Sequence, residues 1–512
     1  MTMVDLTVAG FYRAALACPG RLALIEPGKG QLTFGELHAR VNRLSHAMRS
    51  LGVGPGDVVA AMVHNDSTFF ELVLATGQIG VYLVPVNTHL AAEEVAFIVR
   101  DSEASVLVAH SDLAENLTAV AKDLPACRFS IQGEVPGWDP FETLDGESTE
   151  PGERVAGSVM GYTSGTTGRP KGVKRKLSGK SPEEAAAGMP RMLVRIFGLG
   201  ADGVHLVTSP LYHAAPSAFA MAALHAGHTV VLHRRFDEEA TLRDIERYRV
   251  TTSHMVPTHF HRMLRLPGQV KGKYDLSGLR AVVHAGAPCP VDVKRQMIAW
   301  FGPVIWEYLG ATEGMVTAVG PEEWLARPGT VGKPVPGVTV KLLDDQGEEV
   351  PAGEAGTIYF GLAGAEFEYH KDPEKTRASL VGALHTVGDI GLLDEDGYLF
   401  LLDRRNDLIL SGGVNIYPAE IEQHLIGHPA VADVAVIGVP DPEWGQSVLA
   451  VVQLAAGASP GPDLAEELND HCAGALASYK RPRRIEFRAD FPRTATGKLV
   501  RGRLRDEYGV NH

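Results

Sequence analysis

Tyr162-Thr163-Ser164-Gly165-Thr166-Thr167-Gly168-Arg169-Pro170-Lys171-Gly172 is the stretch on which the reading of this 512-residue chain turns. Gly165 and Gly168 let the backbone bend tightly, Thr163, Ser164, Thr166 and Thr167 offer hydroxyls, and Lys171 adds a compact positive charge. Together they could cradle a polyphosphate. The common nucleotide loop runs G-x-x-x-x-G-K-[ST] into a helix. Here Pro170 precedes the lysine and Gly172 follows it, so this is a different loop. By composition alone a Ser/Thr/Gly run is also what a solvated linker looks like. The apolar lead-in Val159-Met160 and the embedded lysine weigh against that.

Working outward, residues 154–162 read as a strand whose end presents the loop, preceded by a Pro/Gly/acid-rich connection over 133–153. Further back, Thr33 and Glu36 form a capping box ahead of a helix whose apolar residues recur at Leu37, Val41, Leu44, Met48 and Leu51. Apolar runs at 58–63, 81–86 and 105–109 alternate with a helical stretch at 67–80, the pattern of helices packed on a parallel sheet. Beyond the loop, 182–199 reads as helix, with Pro190 limiting its length. Four short apolar runs follow, at 204–208, 229–232, 251–256 and 281–284. Ligands in α/β sheets sit beyond the carboxyl ends of such strands. The site is therefore sought at 210–216, 257–259, 285–288 and 307–314. Residues 329–360 change to short alternating runs with turns, read as a small antiparallel β subdomain, and 394–402 reads as a hairpin around Asp396-Gly397.

An excess of 62 acidic over 48 basic residues, a formal charge of -14, argues against nucleic acid or an anionic membrane as the main partner. Cys18, Cys127, Cys289 and Cys472 are scattered without metal-ligand spacing, which implies free thiols in a reducing compartment. With no basic-then-apolar leader and no apolar run of spanning length, the expectation is a soluble cytoplasmic protein without a transmembrane segment.

The run T-S-G-T-T-G-x-P-K-G resembles the signature loop of the adenylate-forming (AMP-binding) enzymes, which include acyl-CoA synthetases, luciferases and peptide-synthetase adenylation domains. Other segments match that family in order. Tyr308-Leu309-Gly310-Ala311-Thr312-Glu313-Gly314 resembles its Y-G-x-T-E segment, Gly286-Ala287-Pro288 its adenine-flanking turn, and His385-Thr386-Val387-Gly388-Asp389 its T-G-D. Asp403-Arg404-Arg405-Asn406-Asp407 is similar to its hinge, Ser411-Gly412-Gly413 begins its coenzyme A-facing run, and 492–498 matches its P-x-T-x-[ST]-G-K loop. The resemblance implies an α/β fold: a large N-terminal domain of layered α/β subdomains plus a small β subdomain (1–403), a hinge (404–407) and a small mobile α+β C-terminal lid (408–512). It also implies ATP, Mg2+ and coenzyme A, the last as substrate. Lys498, Thr166, Glu313 and His213 take catalytic roles, with Glu313 holding the metal. Nucleotide contacts fall to Thr163, Ser164, Gly165, Thr166, Thr167, Lys171, Gly286, Ala287, Pro288, Tyr308, Leu309, Gly310, Ala311, Thr312, Asp389 and Arg404. The cluster Lys174-Arg175-Lys176 is either a solvated patch or helps to attract ATP.

Four departures stand out. Leu309 occupies the place of an adenine-stacking aromatic, Val387 that of a threonine, and Asp403 that of a glycine, while Asn406 is a neutral pivot. The implied reaction has two halves. A carboxylate attacks the ATP α-phosphorus to give acyl-AMP and pyrophosphate; the small domain then pivots at Asn406 so that a thiol takes the acyl group. The acyl pocket is expected from Tyr212, His213, Ala214, Ser217, His259, Ala285, Gly314 and Met315, whose many small residues leave room for a broad acid. The text looks most like ligases for steroid, bile-acid or other bulky alicyclic or terpenoid acids, then long-chain fatty acids. A free-standing enzyme that loads a carrier protein or partner enzyme, and a non-catalytic acyl-AMP-binding relative, remain as alternatives. A homodimer is compatible with all of them.

Overall fold

The computed structural model describes residues 10–163, 170–200, 203–362, 366–404, 407–411, 414–442, 444–473, 476–493 and 499–508. Two parallel sheets carry the N-terminal part. One has six strands, in the order Asp139–Pro140, Cys127–Ile131, Val106–His110, Val58–Met62, Tyr82–Pro85 and Ser158–Val159. Val58–Met62 and Val106–His110 are buried at every position, as strands covered on both faces must be. The other begins Gly30–Thr33, Leu22–Glu26, Thr229–Leu232, Val204–Val207, Thr252–Met255, Ala281–His284 and Ile305–Ala311, parallel from Leu22–Glu26 onward.

Local signals in the chain set the flanking helices. Thr33 accepts from the Glu36 N–H and Glu36 returns to the Thr33 N–H, closing the capping box that starts the helix Phe34–Ser50. Asp66 caps Ser67–Gln78. The stretch 182–199 forms two helices, Pro182–Ala186 and Gly188–Phe197; Pro190 stands in the first turn of the second, where its missing N–H costs nothing.

The antiparallel β region is not a separate sheet. Ile305–Ala311 turns back antiparallel through Gly314–Val319 to Thr330–Pro334, which pairs with Leu399–Arg404 and so joins the parallel sheet to Asp389–Leu393 and Ala355–Leu362. The strand carrying the Y-L-G-A-T-E segment is thus the seam between the two. A short sheet of Gly161–Thr163, Lys171–Lys174 and Glu368–Tyr369 frames the signature stretch, and a five-stranded sheet over 409–488 carries its own apolar core with Ile421, Leu425 and Leu468.

Candidate active site

Gly161–Thr163 and Lys171–Lys174 pair antiparallel with Thr163 opposite Lys171, so both ends of the signature stretch are pinned together. Ser164, Gly165, Thr166 and Thr167 lie outside the described residues. A side chain at Gly172 would meet the Tyr162 ring at 3.1 Å, and one at Gly161 would meet Thr312 Cγ2 at 3.2 Å; the two glycines let the hairpin lie flat against its neighbours. Lys171 is ion-paired with Asp372 Oδ2, whose other oxygen caps the helix Pro373–Ala378 by accepting from the Lys375 N–H at 2.9 Å. Glu313 is only 7% exposed and takes a hydrogen bond from the Tyr369 hydroxyl at 2.8 Å. Burial, reinforced by the Glu313 carboxylate, pushes the Tyr369 phenol well above its ordinary pKa, so it remains a donor. Arg175 turns inward and donates to the carbonyls of Thr312 at 2.9 Å and Glu313 at 2.8 Å. Of the basic cluster, this residue is half-buried at the cleft and braces the loop that presents Glu313.

Tyr369, Asp372 and the bracing role of Arg175 escape a reading of the sequence. Asp372-Pro373 is legible as a helix start, but nothing local says that the cap also faces Lys171, some 200 positions away.

The strand Ile305–Ala311 presents alternate residues to opposite sides. Leu309 packs toward Phe360, Leu399 and Val387, on the side of Asp389, which lies opposite Arg404 in the hairpin register. Tyr308 faces the other way: its ring lies among Phe197, Phe219 and His254, and its hydroxyl is 3.3 Å from His254 Nε2. Its ring therefore faces away from the Leu309 side of the strand, although both were expected to meet the nucleotide. Gly310 follows because a Cβ there would press on the Tyr308 ring at 2.9 Å. Gly286, at φ 88°, turns Gly286-Ala287-Pro288 out along the cleft rim, a conformation open to glycine.

On the acyl side, the helix Ala214–His225 begins directly after Tyr212 and His213 and turns Ala214, Ala218, Met221 and His225 toward the cleft. Leu74 and Gly77, Met192 and Leu193 form other walls, and Ser217, Ala285, Ala311, Gly314 and Met315 also line it. Burial pushes His254 down to about 3 and His225 down to about 4, so both imidazoles are neutral at neutral pH. Tyr212 is pushed up to about 12. His259 departs from expectation: it stacks on Phe236 at 3.8 Å, sits 8% exposed and does not line the cleft. His254, two strand residues before the turn, stands there instead.

Phosphate and acyl sides form one cleft of about 2880 Å³, beyond the ~300–1,000 Å³ of a single small-ligand pocket and enough for a nucleotide and an acid together. C-terminal residues close it: Tyr417, Glu420, Leu499, Val500 and Arg501 line the same space. Asp403, in the place of the glycine, accepts from the Ala419 N–H at 2.9 Å and so ties the strand Leu399–Arg404 to the helix Pro418–Leu425. Arg501 joins Asp407 at 3.4 Å and pairs with Glu422. Ser411 belongs to a hairpin with Val414 and does not reach the cleft in this arrangement. Asn406, Gly412, Gly413 and Lys498 lie outside the described residues, as does the Arg404 side chain.

The profile of the AMP-binding enzyme matches residues 11–366, and that of the AMP-binding enzyme C-terminal domain matches 420–498. The chain belongs to the AMP-binding enzyme family. It is 36% identical over 492 residues to a feruloyl-CoA synthase of Amycolatopsis sp, covering 95% of this chain and 96% of that one. It is 34% identical over 505 residues to the fatty acid–[acyl-carrier-protein] ligase ScoC of Streptomyces coeruleorubidus, covering 96% and 93%. Its backbone superposes on o-succinylbenzoate CoA synthetase of Bacillus subtilis in complex with the acyl-adenylate OSB-AMP with a TM-score of 0.82 at 29% identity, covering 97% of each chain. This AMP-binding enzyme is an ATP-dependent ligase with the adenylate-forming α/β fold, and its substrates are those of the family: an acid, ATP with Mg2+, and coenzyme A. The residues present fit the metal. Glu313 offers a hard carboxylate oxygen in the cleft, and no group of three or more His, Cys, Asp or Glu among the described residues forms a protein cage; Mg2+ prefers one or two carboxylates plus phosphate oxygens.

Proposed function

We propose that the enzyme activates a bulky, hydrophobic, ring-bearing carboxylic acid as acyl-AMP and passes it to coenzyme A. The observation that carries this reading is the cleft-facing wall of the helix Ala214–His225: three small or flexible apolar residues and one histidine kept neutral by burial. Such a wall offers room and no charge partner for a second carboxylate or an amine. Steroid-side-chain, bile and other alicyclic or terpenoid acids suit it, with long-chain fatty acids next.

In this reading the carboxylate oxygen attacks the α-phosphorus, the bond to the bridging oxygen breaks, and pyrophosphate leaves with the electron pair. Thr312, backed by Gly161 and braced through Arg175, stands at the α-phosphate; Glu313, oriented by Tyr369, holds the metal, which neutralises phosphate charge. Asp389 accepts from the ribose hydroxyls and Leu309 covers adenine. His213 gates the acid, and Lys498 bridges carboxylate and α-phosphate. We place the domain boundary at 404–407, with Asn406 as pivot, and place Ser411-Gly412-Gly413 at the pantetheine arm after rotation. That Leu499–Arg501 lines the cleft while Ser411 does not supports an arrangement suited to adenylation. No helix among the described residues is long and apolar enough to cross a membrane, and we assign the enzyme to the cytoplasm.

The test is incubation with ATP, Mg2+ and fatty, aromatic, steroidal and terpenoid acids, with and without coenzyme A, followed by mass. A thioester of one bulky class is expected. Adenylate without thioester would transfer the reading to a carrier protein, the acceptor class named for ScoC. Absence of adenylate with every acid would overturn it.

A further inference from the structure

Lys171 is neutralised by Asp372, yet a second ammonium stands beside the pair with no ion pair among the described residues. Lys375, in the helix that Asp372 caps, turns its side chain back into the cleft, where its Nζ lies 4.9 Å from the centre of the Tyr369 ring. The Tyr369 hydroxyl is bonded to Glu313, so the ring that carries Lys375 on its face also holds the carboxylate assigned to the metal. Burial, then the charge of Lys171, lowers the pKa of Lys375, while Asp372 and Glu313 oppose that shift; the four charges sense one another across a single corner of the cleft. This corner lies at the Lys171 end of the signature hairpin, where Lys171 stands opposite Thr163.

We propose that Lys375 and Lys171 together seat the terminal phosphates of ATP and, once the bond to the α-phosphorus has broken, the departing pyrophosphate. An incoming polyphosphate competes with Asp372 for Lys171, while Lys375 is already unpaired and faces it. Two ammoniums and one metal-binding carboxylate suit a multiply charged anion, whereas a substrate carboxylate needs one cation and an apolar neighbourhood. The seat discriminates by phosphate number: ATP and pyrophosphate reach it, and AMP does not.

Calorimetry on the full chain with three probes, Mg-bound non-hydrolysable ATP analogue, magnesium pyrophosphate and AMP, needs no acid substrate and therefore reads independently of the proposed specificity. Lys375→Ala is expected to weaken the ATP analogue and pyrophosphate by about tenfold and AMP by less than about twofold, with Lys375→Arg recovering most of the loss. Retained AMP binding certifies the fold, and Lys375→Gln, which keeps the stem length, replaces the alanine variant if AMP binding fails there. Equal weakening of all three ligands in Lys375→Gln as well, or no change in any ligand with either variant, overturns the proposal. So does a rise confined to the Michaelis constant of the acid, which would give Lys375 to the acyl carboxylate.

Discussion

The two ends of the cleft are built on opposite principles. At the phosphate end most polar groups are held by another, Lys171 by Asp372, Glu313 by Tyr369 and the Thr312-Glu313 backbone by Arg175, while the Lys375 ammonium rests on the Tyr369 ring. At the acyl end the polar groups are neutralised by burial, with His254 against Tyr308 and His225 accepting from the Phe11 N–H, and space is set by alanines on one helix face. The first end reads charge and is intolerant of change. The second reads volume and can be retuned by a methyl group.

Glu313→Gln tests the first principle most severely: the amide keeps the shape and loses the charge, and acid-dependent ATP–pyrophosphate exchange is expected to fall by about 10²-fold. A loss of only a few-fold would detach the metal from Glu313. Ala218→Phe tests the second. Turned into the acyl cleft, the ring should raise the Michaelis constant for bulky acids by about tenfold while sparing short ones, and an equal effect on both would mean that this wall does not set specificity.

Neutrality of the acyl end is checked by pH. His254 at about 3 and His225 at about 4 lie below the ordinary value of 6.5, so the unfolded chain binds these protons first. Their contribution to stability is complete above pH 6.5 and is lost as pH falls toward 4. His205 and His259, each at about 3, add in the same direction. Thermal unfolding between pH 7 and 5 should therefore show a falling Tm, with His225→Gln removing a share of about 1 kcal/mol per pH unit. An unchanged slope in that variant would place its proton elsewhere. The smallest effect is expected from Leu309→Tyr, which restores an aromatic beside the adenine turn and should lower the Michaelis constant for ATP about threefold. A higher constant would count against the placement of adenine at Leu309.

How much of this was legible follows from the range of each signal. The capping box at Thr33 and the alternation of apolar runs are written within a few residues and stand where those patterns place them. The turn at Asp396-Gly397 joins strands at Asp389–Leu393 and Leu399–Arg404, so the hairpin begins before the expected 394. The motif residues were legible by resemblance, since each lies within one short segment. Tyr308 and Leu309 show the limit: two neighbours on a strand point to opposite faces, and only the sheet on either side decides which face meets adenine. His259 and His254 show it again. His254 is on the strand Thr252–Met255 and His259 on the helix that follows it, and stacking on Phe236 turns His259 away from the cleft.

Read alone, the chain settles the layered α/β plan, because capping and hydrophobic period act over neighbouring residues, and by resemblance it gives the order of the motifs and the polyphosphate chemistry they imply. Tertiary structure alone decides that Arg175 braces the Glu313 loop, that Asp403 ties the strand Leu399–Arg404 to Ala419, and that Lys171, Asp372 and Lys375 share one corner. The physical reason is that charge and burial depend on distance in space, and the strand pairing of Lys171–Lys174 with Glu368–Tyr369 brings together residues that sequence holds some 200 positions apart.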